Sequence, residues 1–341
     1  MRRTGVVRCL IAAVLFGASA PAASELAGAL PTLTLAGLLY IGAALAVAPI
    51  ALRRRRPVRE LRSGGRRLAL AVVFGGALGP ALLVAGLARI PAAEASLLLN
   101  FELVATSVVA AIAFHEHIGR RLGVSIALVV GAGVLLVWQP GAGLALGGFF
   151  VVAACCCWGV DNAATARIDQ LAPGQITFAK GAVAGTTNLV LGLVIAGTVG
   201  VTPARVAAAL AIGAIGYGLS ITLWVAGARE LGAARGQVIF AAAPFIGALI
   251  AWTLLGEPLL TAQLLAVALA AAGVALSIDT GHSHWHEHEA LEHEHEHTHD
   301  DGHHTHTHDE PVAGRHTHRH RHEPIGHRHP HLPDLHHGHG H

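Results

Sequence analysis

Apolar stretches close to the ~20 residues that a helix needs to cross a bilayer recur along most of the chain, separated by short polar interruptions. They fall at about 6–23, 33–52, 68–88, 92–114, 122–138, 145–165, 176–198, 206–228, 234–255 and 260–278. Beyond residue 279 the pattern stops and almost every position is polar. Periodicity within the stretches is weak, as expected of helices that meet lipid on one side and other helices on the rest. Gly and Ala abound in them, and small residues let helix backbones approach closely. The pattern predicts an all-α integral membrane protein of ten transmembrane helices followed by a disordered tail.

Composition agrees. Hydrophobic residues make up 53% of the chain and charged residues 13%, against about 25% charged in soluble domains. The net charge of +2 matters less than where the charges sit. Of 23 basic residues only Lys180 is a lysine, and eight Arg crowd between Arg53 and Arg67. No stretch interleaves basic and aromatic residues, so nucleic acid is not an expected partner. The four Cys, Cys9 and the run Cys155, Cys156, Cys157, lie in apolar segments without CxxC spacing and read as small packing residues.

The first span also has the look of a signal peptide. Arg2, Arg3 and Arg8 precede the apolar run Cys9–Gly17, and the small residues Ala18-Ser19-Ala20 follow it. It is kept as a span because the internal repeat of the chain requires it. Arg and Lys in the loops then orient the chain. With the N-terminus in the cytoplasm, that side receives Arg2, Arg3, Arg8, the Arg53–Arg67 cluster, Arg120, Arg121, Arg167 and Arg229, and the other side only Arg89 and Arg205. Ten spans return the C-terminus to the cytoplasm, as in an integral protein of the plasma (inner) membrane.

Sliding the chain against itself by 141 residues sets Val84-Ala85-Gly86 on Val225-Ala226-Gly227, Ala92-Ala93 on Ala233-Ala234 and Glu116 on Glu257. A shift of 142 sets Phe16-Gly17 on Trp158-Gly159. We read two homologous five-helix units, 1–140 and 145–278, and a tail, 279–341. A unit of five spans ends on the side opposite its start, so the second copy inserts upside down. Inverted repeats suit a carrier whose halves rock about a central site. No GxxxxGK[ST] phosphate loop appears, so the chain shows no ATPase engine. Nothing suggests an enzyme, and no cofactor is required.

The two ends of the fourth and ninth helices carry a more specific likeness. One runs from Ala92-Ala93-Glu94-Ala95-Ser96 to Phe114-His115-Glu116. The other runs from Ala233-Ala234-Arg235-Gly236-Gln237 through Ala243-Pro244 to Leu255-Gly256-Glu257-Pro258. Over roughly residues 6–278 the chain resembles the drug/metabolite transporter superfamily, EamA type. The resemblance implies proton-coupled or facilitated export of small organic solutes. One departure is Leu103, where the first repeat lacks the proline that Pro244 supplies in the second, so equal bending of the two helices is not expected.

Several residues are candidates for transport. Glu102 lies near the middle of the fourth span, where a carboxylate costs a few kcal/mol and usually faces a cavity or a partner. A carboxyl shielded from water can exchange a proton near neutral pH. It reads either as a proton-coupling or ammonium-binding site, or as a protonated group bonded to a neighbouring helix. Asp161 and Lys180 lie about one turn from the cytoplasmic ends of spans six and seven and can pair, although Lys180 can also snorkel to the headgroups. Asn162 can bond solute or another helix. Glu116 and Glu257 end equivalent helices, as turn or ion-pair residues or as gates. Pro244 removes a backbone hydrogen bond and is expected to bend span nine. Tyr217 and Trp224, in span eight, either line a cavity or contact lipid.

Of the 25 His, 23 follow residue 281. They alternate as His282, His284, His286 and His288, then His293, His295, His297 and His299. His303, His304, His306 and His308 come next, and then His316, His318, His320 and His322. The segment has too few apolar residues to build a core. Alternation places imidazoles on one side of an extended strand, and neutral imidazole binds Zn²⁺, Ni²⁺, Co²⁺ and Cu²⁺. Interleaved Glu287, Glu289, Glu292, Glu294 and Glu296 favour a divalent cation. The tail also gains charge between pH 5 and 8. Three functions fit. The first is a secondary carrier exporting a small metabolite, with lipid, solute and protons as partners and a regulatory metal-binding tail. The second is a Ni²⁺, Co²⁺ or Zn²⁺ exporter fed by the tail. The third is a non-transporting metal-storage or sensing protein. The membrane body offers only His115 and His117 and no paired carboxylates of a metal path.

Overall fold

The computed structural model describes residues 3–53, 65–114, 119–139, 143–144, 146–165, 168, 171–231, 236, 239–278, 282–288, 291–297, 316–322 and 325–331. Among the described residues eight helices are long and apolar enough to span a bilayer: α1 Arg3–Ala27, α2 Thr32–Ala51, α3 Gly65–Leu87, α4 Ala92–Ala113, α5 Arg120–Val137, α6 Leu146–Thr165, α7 Gly174–Ala196 and α8 Pro203–Gly227. Two shorter apolar helices come after them, α9 Ala243–Thr253 and α10 Thr261–Leu276. All ten lie where the hydropathy pattern predicts them, but α9 is about half the length expected, since its stretch is interrupted before Ala243. Val194 and Ile195 on α7 and Ile112 on α4 are exposed, as a bilayer requires of its outer wall.

The helix pairing has an internal symmetry. If each helix of the first half is exchanged with its counterpart five places on, α2–α7, α4–α9 and α5–α10 each map onto themselves. The pair α1–α8 maps onto α6–α3, α2–α8 onto α7–α3, and α1–α9 onto α6–α4. All nine of these pairs pack together. Small residues permit the close approach of α2 and α7: a Cβ on Gly37 would lie 2.8 Å from the Gly185 carbonyl oxygen. α1, the segment resembling a signal peptide, packs against α8 and α9 and buries Cys9, Ala12, Ala13 and Gly17.

Irregular backbone also recurs in register. α3 is π-helical over Ala71–Leu78, and α8 is π-helical over Gly213–Leu219. α4 is broken by a turn at Leu99–Asn100, and a turn at Ala241–Ala242 precedes α9. The halves are joined by two short strands, β1 Trp138–Gln139 and β2 Gly143–Leu144, paired antiparallel.

Residues 281–341 form a unit of their own. In it β3 His282–His288 pairs antiparallel with β6 Ile325–His331, and β4 Leu291–His297 with β5 His316–His322. The register sets His293 opposite His320, His295 opposite His318 and His297 opposite His316, while Glu292 and Glu294 stand opposite Arg321 and Arg319.

A polar cluster at the π-helical turn of α3

A π-helical turn leaves backbone carbonyls without their usual helical donors, so side chains from neighbouring helices must supply them. In α3 three do so. The Gly75 oxygen accepts from the Tyr40 hydroxyl of α2 at 2.7 Å and from the Trp158 indole N–H of α6 at 3.3 Å. The Ala77 oxygen accepts from the Asn188 amide of α7 at 3.0 Å. Gly75 cannot carry a side chain here, because a Cβ would collide with the Asp161 carboxylate.

Asp161 is buried against this turn. Its Oδ2 accepts from Lys180 Nζ at 2.6 Å, and its Oδ1 from the Thr165 hydroxyl at 3.0 Å. The Lys180 and Asp161 side chains are 17% and 6% exposed, so Lys180 is turned inward to the carboxylate and the pair is held inside the bundle. The next residue, Asn162, points to α4 and donates to Glu102 Oε1 at 2.9 Å and to the Thr106 hydroxyl at 3.1 Å.

The break in α4 explains the position of Glu102. At Leu99–Asn100 the backbone tightens, with Glu102 N donating to Leu99 O at 3.0 Å and Leu103 N to Asn100 O at 3.1 Å. Asn100 bonds back to Leu97 O at 2.8 Å. Glu102 thus opens the second half-helix, where the helix dipole favours a negative charge. Glu102, Asn162, Asp161 and Lys180 come together as one cluster. Among the described residues Lys180 is committed to Asp161, and Glu102 has the neutral Asn162 amide as its hydrogen-bond donor.

The other candidates lie elsewhere. Tyr217, in the π-helical stretch of α8, is buried in an aromatic chain, its ring centroid 5.9 Å from Tyr40 and 5.8 Å from Phe16. Phe240 continues the chain from Phe16 at 5.2 Å to Trp224 at 5.9 Å. The Trp224 indole nitrogen is buried without a hydrogen-bond partner among the described residues. Pro244 does not bend a continuous helix. It sits in the first turn of α9, where its missing N–H has no intrahelical acceptor to lose. Because α4 is broken at the matching place without a proline, the expected inequality of the two helices is corrected: Asn100 closes the turn in one half and Pro244 restarts the helix in the other. Glu257 accepts from the backbone N–H groups of Ala92 and Ala93 in α4, and makes no ion pair among the described residues.

Some expected sites lie outside the described residues: Glu116 with His115 and His117, Ala233-Ala234, and His299, His303, His304, His306 and His308 of the tail. Among the described residues no cluster of His, Cys, Asp and Glu is placed to hold a metal ion. A groove of about 440 Å³ runs along Val183, Thr187, Val190 and Leu191, on the exposed face of α7 and apart from the polar cluster.

Sequence reasoning missed Tyr40, Thr106, Trp158, Thr165, Asn188 and Gly75. A signal existed for Trp158. The repeat aligns it with Phe16, and each of the two aromatics packs on the π-helical stretch of the opposite half, Trp158 on Gly75 and Phe16 on Tyr217.

Comparisons with known proteins agree with this architecture. The model of the EamA-like transporter family matches twice, over residues 3–138 and 145–278, the two halves of the helix pairing. An uncharacterized transporter of Methanothermobacter thermautotrophicus is 24% identical over 282 residues, covering 76% of this chain and 81% of that protein. A solved structure described only as the crystal structure of a protein superposes with a TM-score of 0.56 at 20% identity. That match covers 81% of this chain and 97% of the other and shares the fold. With both halves matched and the membrane-spanning helices in place, the chain belongs to the EamA-like transporter family.

Proposed function

We propose that this integral membrane transporter exports a small organic solute by alternating access, and that Glu102 couples the movement to protons. The observation that carries the reading is the charge arrangement at the α3 turn. Asp161 is neutralised by Lys180 at 2.6 Å, whereas Glu102, the neighbouring carboxyl in the cluster, has an amide for a partner. A carboxylate without a cation inside a membrane bundle is stabilised by taking up a proton or by binding a cationic group of the solute. Competition between proton and solute for one carboxyl is enough to couple their movements. The paired breaks in α4 and α9 support a site between the halves, since transporter sites are built at interrupted helices. The loop charges support cytoplasmic termini in the plasma membrane.

Vesicles containing the full chain test this. Solutes are first identified by growth protection on overexpression, and then driven by an imposed pH gradient. Glu102→Gln keeps an oxygen for the Asn162 amide, so the protein folds, but it removes the proton exchange. Gradient-driven flux should fall by about two orders of magnitude while solute exchange at equal pH persists. Undiminished gradient-driven flux would remove Glu102 from the mechanism.

A second reading, export of divalent Ni²⁺, Co²⁺ or Zn²⁺ collected by the tail, draws support from the strand register, which sets three His of β4 opposite three of β5. We place the tail as a metal-binding regulatory segment. Ni²⁺, Co²⁺ or Zn²⁺ flux in the same vesicles, lost in both the tail-deleted and Glu102→Gln proteins, would favour the second reading.

A further inference from the structure

We propose that Glu257 is a latch across the two repeats, holding α4 against α9 to seal one mouth of the central site, and that this mouth opens when the latch is released. Gly256, at φ 69°, turns the chain back at the end of α9. Glu257 then donates its own N–H to Ala251 O at 3.2 Å. Its carboxylate reaches the start of α4, where Oε1 accepts from Ala92 N at 2.6 Å and Oε2 from Ala93 N at 2.8 Å. These N–H groups have no acceptor within their own helix. Ala92 and Ala93 are 1% and 0% exposed, so in this closed seam water cannot replace the carboxylate. Bonds from a charged acceptor to shielded donors are the stronger kind. Gln263 of α10 braces the same end, its oxygen accepting from Trp252 Nε1 at 3.0 Å and Leu260 N at 3.1 Å.

A second observation separates a latch from a static cap. One turn further along α4, Ser96 is fully buried in the same seam, and a Cβ on Gly247 of α9 would lie 2.7 Å from its hydroxyl. That hydroxyl has no hydrogen-bond partner among the described residues. A buried unsatisfied hydroxyl disfavours the state that buries it. Opening the seam admits water to Ser96 and removes the penalty, so the closed mouth needs a compensating hold at its rim, and Glu257 supplies one. α4 belongs to the first repeat and α9 to the second, so alternating access requires this seam to part. The inference rests on the alternating-access reading of the protein's function.

Its test needs no solute and therefore fails or stands apart from the Glu102 experiment. Ser96→Cys is a near-isosteric reporter of the seam. Ala164→Cys, near the end of α6, reports the opposite mouth, because successive spans alternate in direction. Each is labelled in vesicles by a membrane-impermeant maleimide applied from its own side, with native-cysteine labelling subtracted using the parent protein. Replacing Glu257 by Gln should raise the labelling rate at position 96 about tenfold and leave it unchanged or lower at position 164. Glu257→Asp, which keeps the charge, should give a smaller rise. An unchanged rate at position 96, or a rise at both reporters as in a loosened protein, would overturn the latch.

Discussion

Breaking the Asp161–Lys180 pair tests whether the polar cluster holds the bundle together. In Lys180→Met the Asp161 carboxylate, 6% exposed, loses its 2.6 Å partner and, among the described residues, keeps the Thr165 hydroxyl at 3.0 Å. Stranding one member of a buried pair costs about 3–5 kcal/mol. Asp161→Asn should cost less, about 2 kcal/mol, because Lys180 is 17% exposed and its long stem can carry the ammonium towards water. The double variant removes both charges together, and neutral replacement of a buried pair is often close to neutral in energy. The cycle should therefore give a coupling energy of about 5–7 kcal/mol, the two single costs together. Melting in detergent, tracked by loss of the monodisperse peak on size exclusion, would read Lys180→Met as a drop of roughly 6–10 °C. The double variant should recover most of that drop. If the double loses as much as the two singles added, the charges are not coupled and the cluster is not a structural pair. If the double melts like the parent but no longer carries solute, the pair also serves transport.

The same geometry bears on two other changes to the chain. Gly75→Ala places a methyl group where the Asp161 carboxylate sits and should destabilise by about 1–3 kcal/mol; Gly28→Ala, where nothing lies within 4 Å, is the control and should leave melting unchanged. Truncation after Thr280, the boundary of the helical unit, should leave folding and solute flux intact while abolishing most Ni²⁺ and Zn²⁺ binding seen by calorimetry; full binding by the truncated chain would move the metal site into the membrane body.

The helices were legible in the sequence because a bilayer enforces length and apolarity on every span at once. The ends of α1 to α8 fall within a few residues of the hydropathy boundaries. Glu102, Asp161, Asn162 and Lys180 were legible for the same reason, since a polar side chain inside an apolar run is conspicuous. The partners were not. Tyr40 and Trp158 look like ordinary aromatics until Gly75 presents a carbonyl without a helical donor. Asn188 and Thr165 are small polar residues near helix interiors or ends, where a bond within their own helix is the default. The π-helical turns leave no mark in hydropathy. Their trace is the glycines, Gly75-Gly76 in α3 and Gly213, Gly216 and Gly218 in α8, among many others that serve only close packing.

The break in α4 shows how a repeat can keep a geometry without keeping the residue that produces it. Pro244 announces an interruption in the second half, and Leu103 announces none in the first. Both halves are nevertheless interrupted, at Leu99–Asn100 and Ala241–Ala242. Pro244 acts by starting the helix anew, its ring fixing φ and its missing N–H costing nothing in a first turn. Asn100 reaches the same end by offering its side-chain amide to the Leu97 carbonyl, which competes with the helical bond. The two devices differ in stiffness. The turn before Pro244 is fixed by a ring that cannot be relaxed. The Asn100 turn is held by hydrogen bonds alone, the 2.8 Å side-chain bond to Leu97 O and the backbone bonds beside it, and opens directly onto Glu102. On the proposed coupling role of Glu102, protonating that carboxyl or placing a cationic group against it would act on the softer of two equivalent breaks, where a local change in charge can most easily alter the join between the halves of α4.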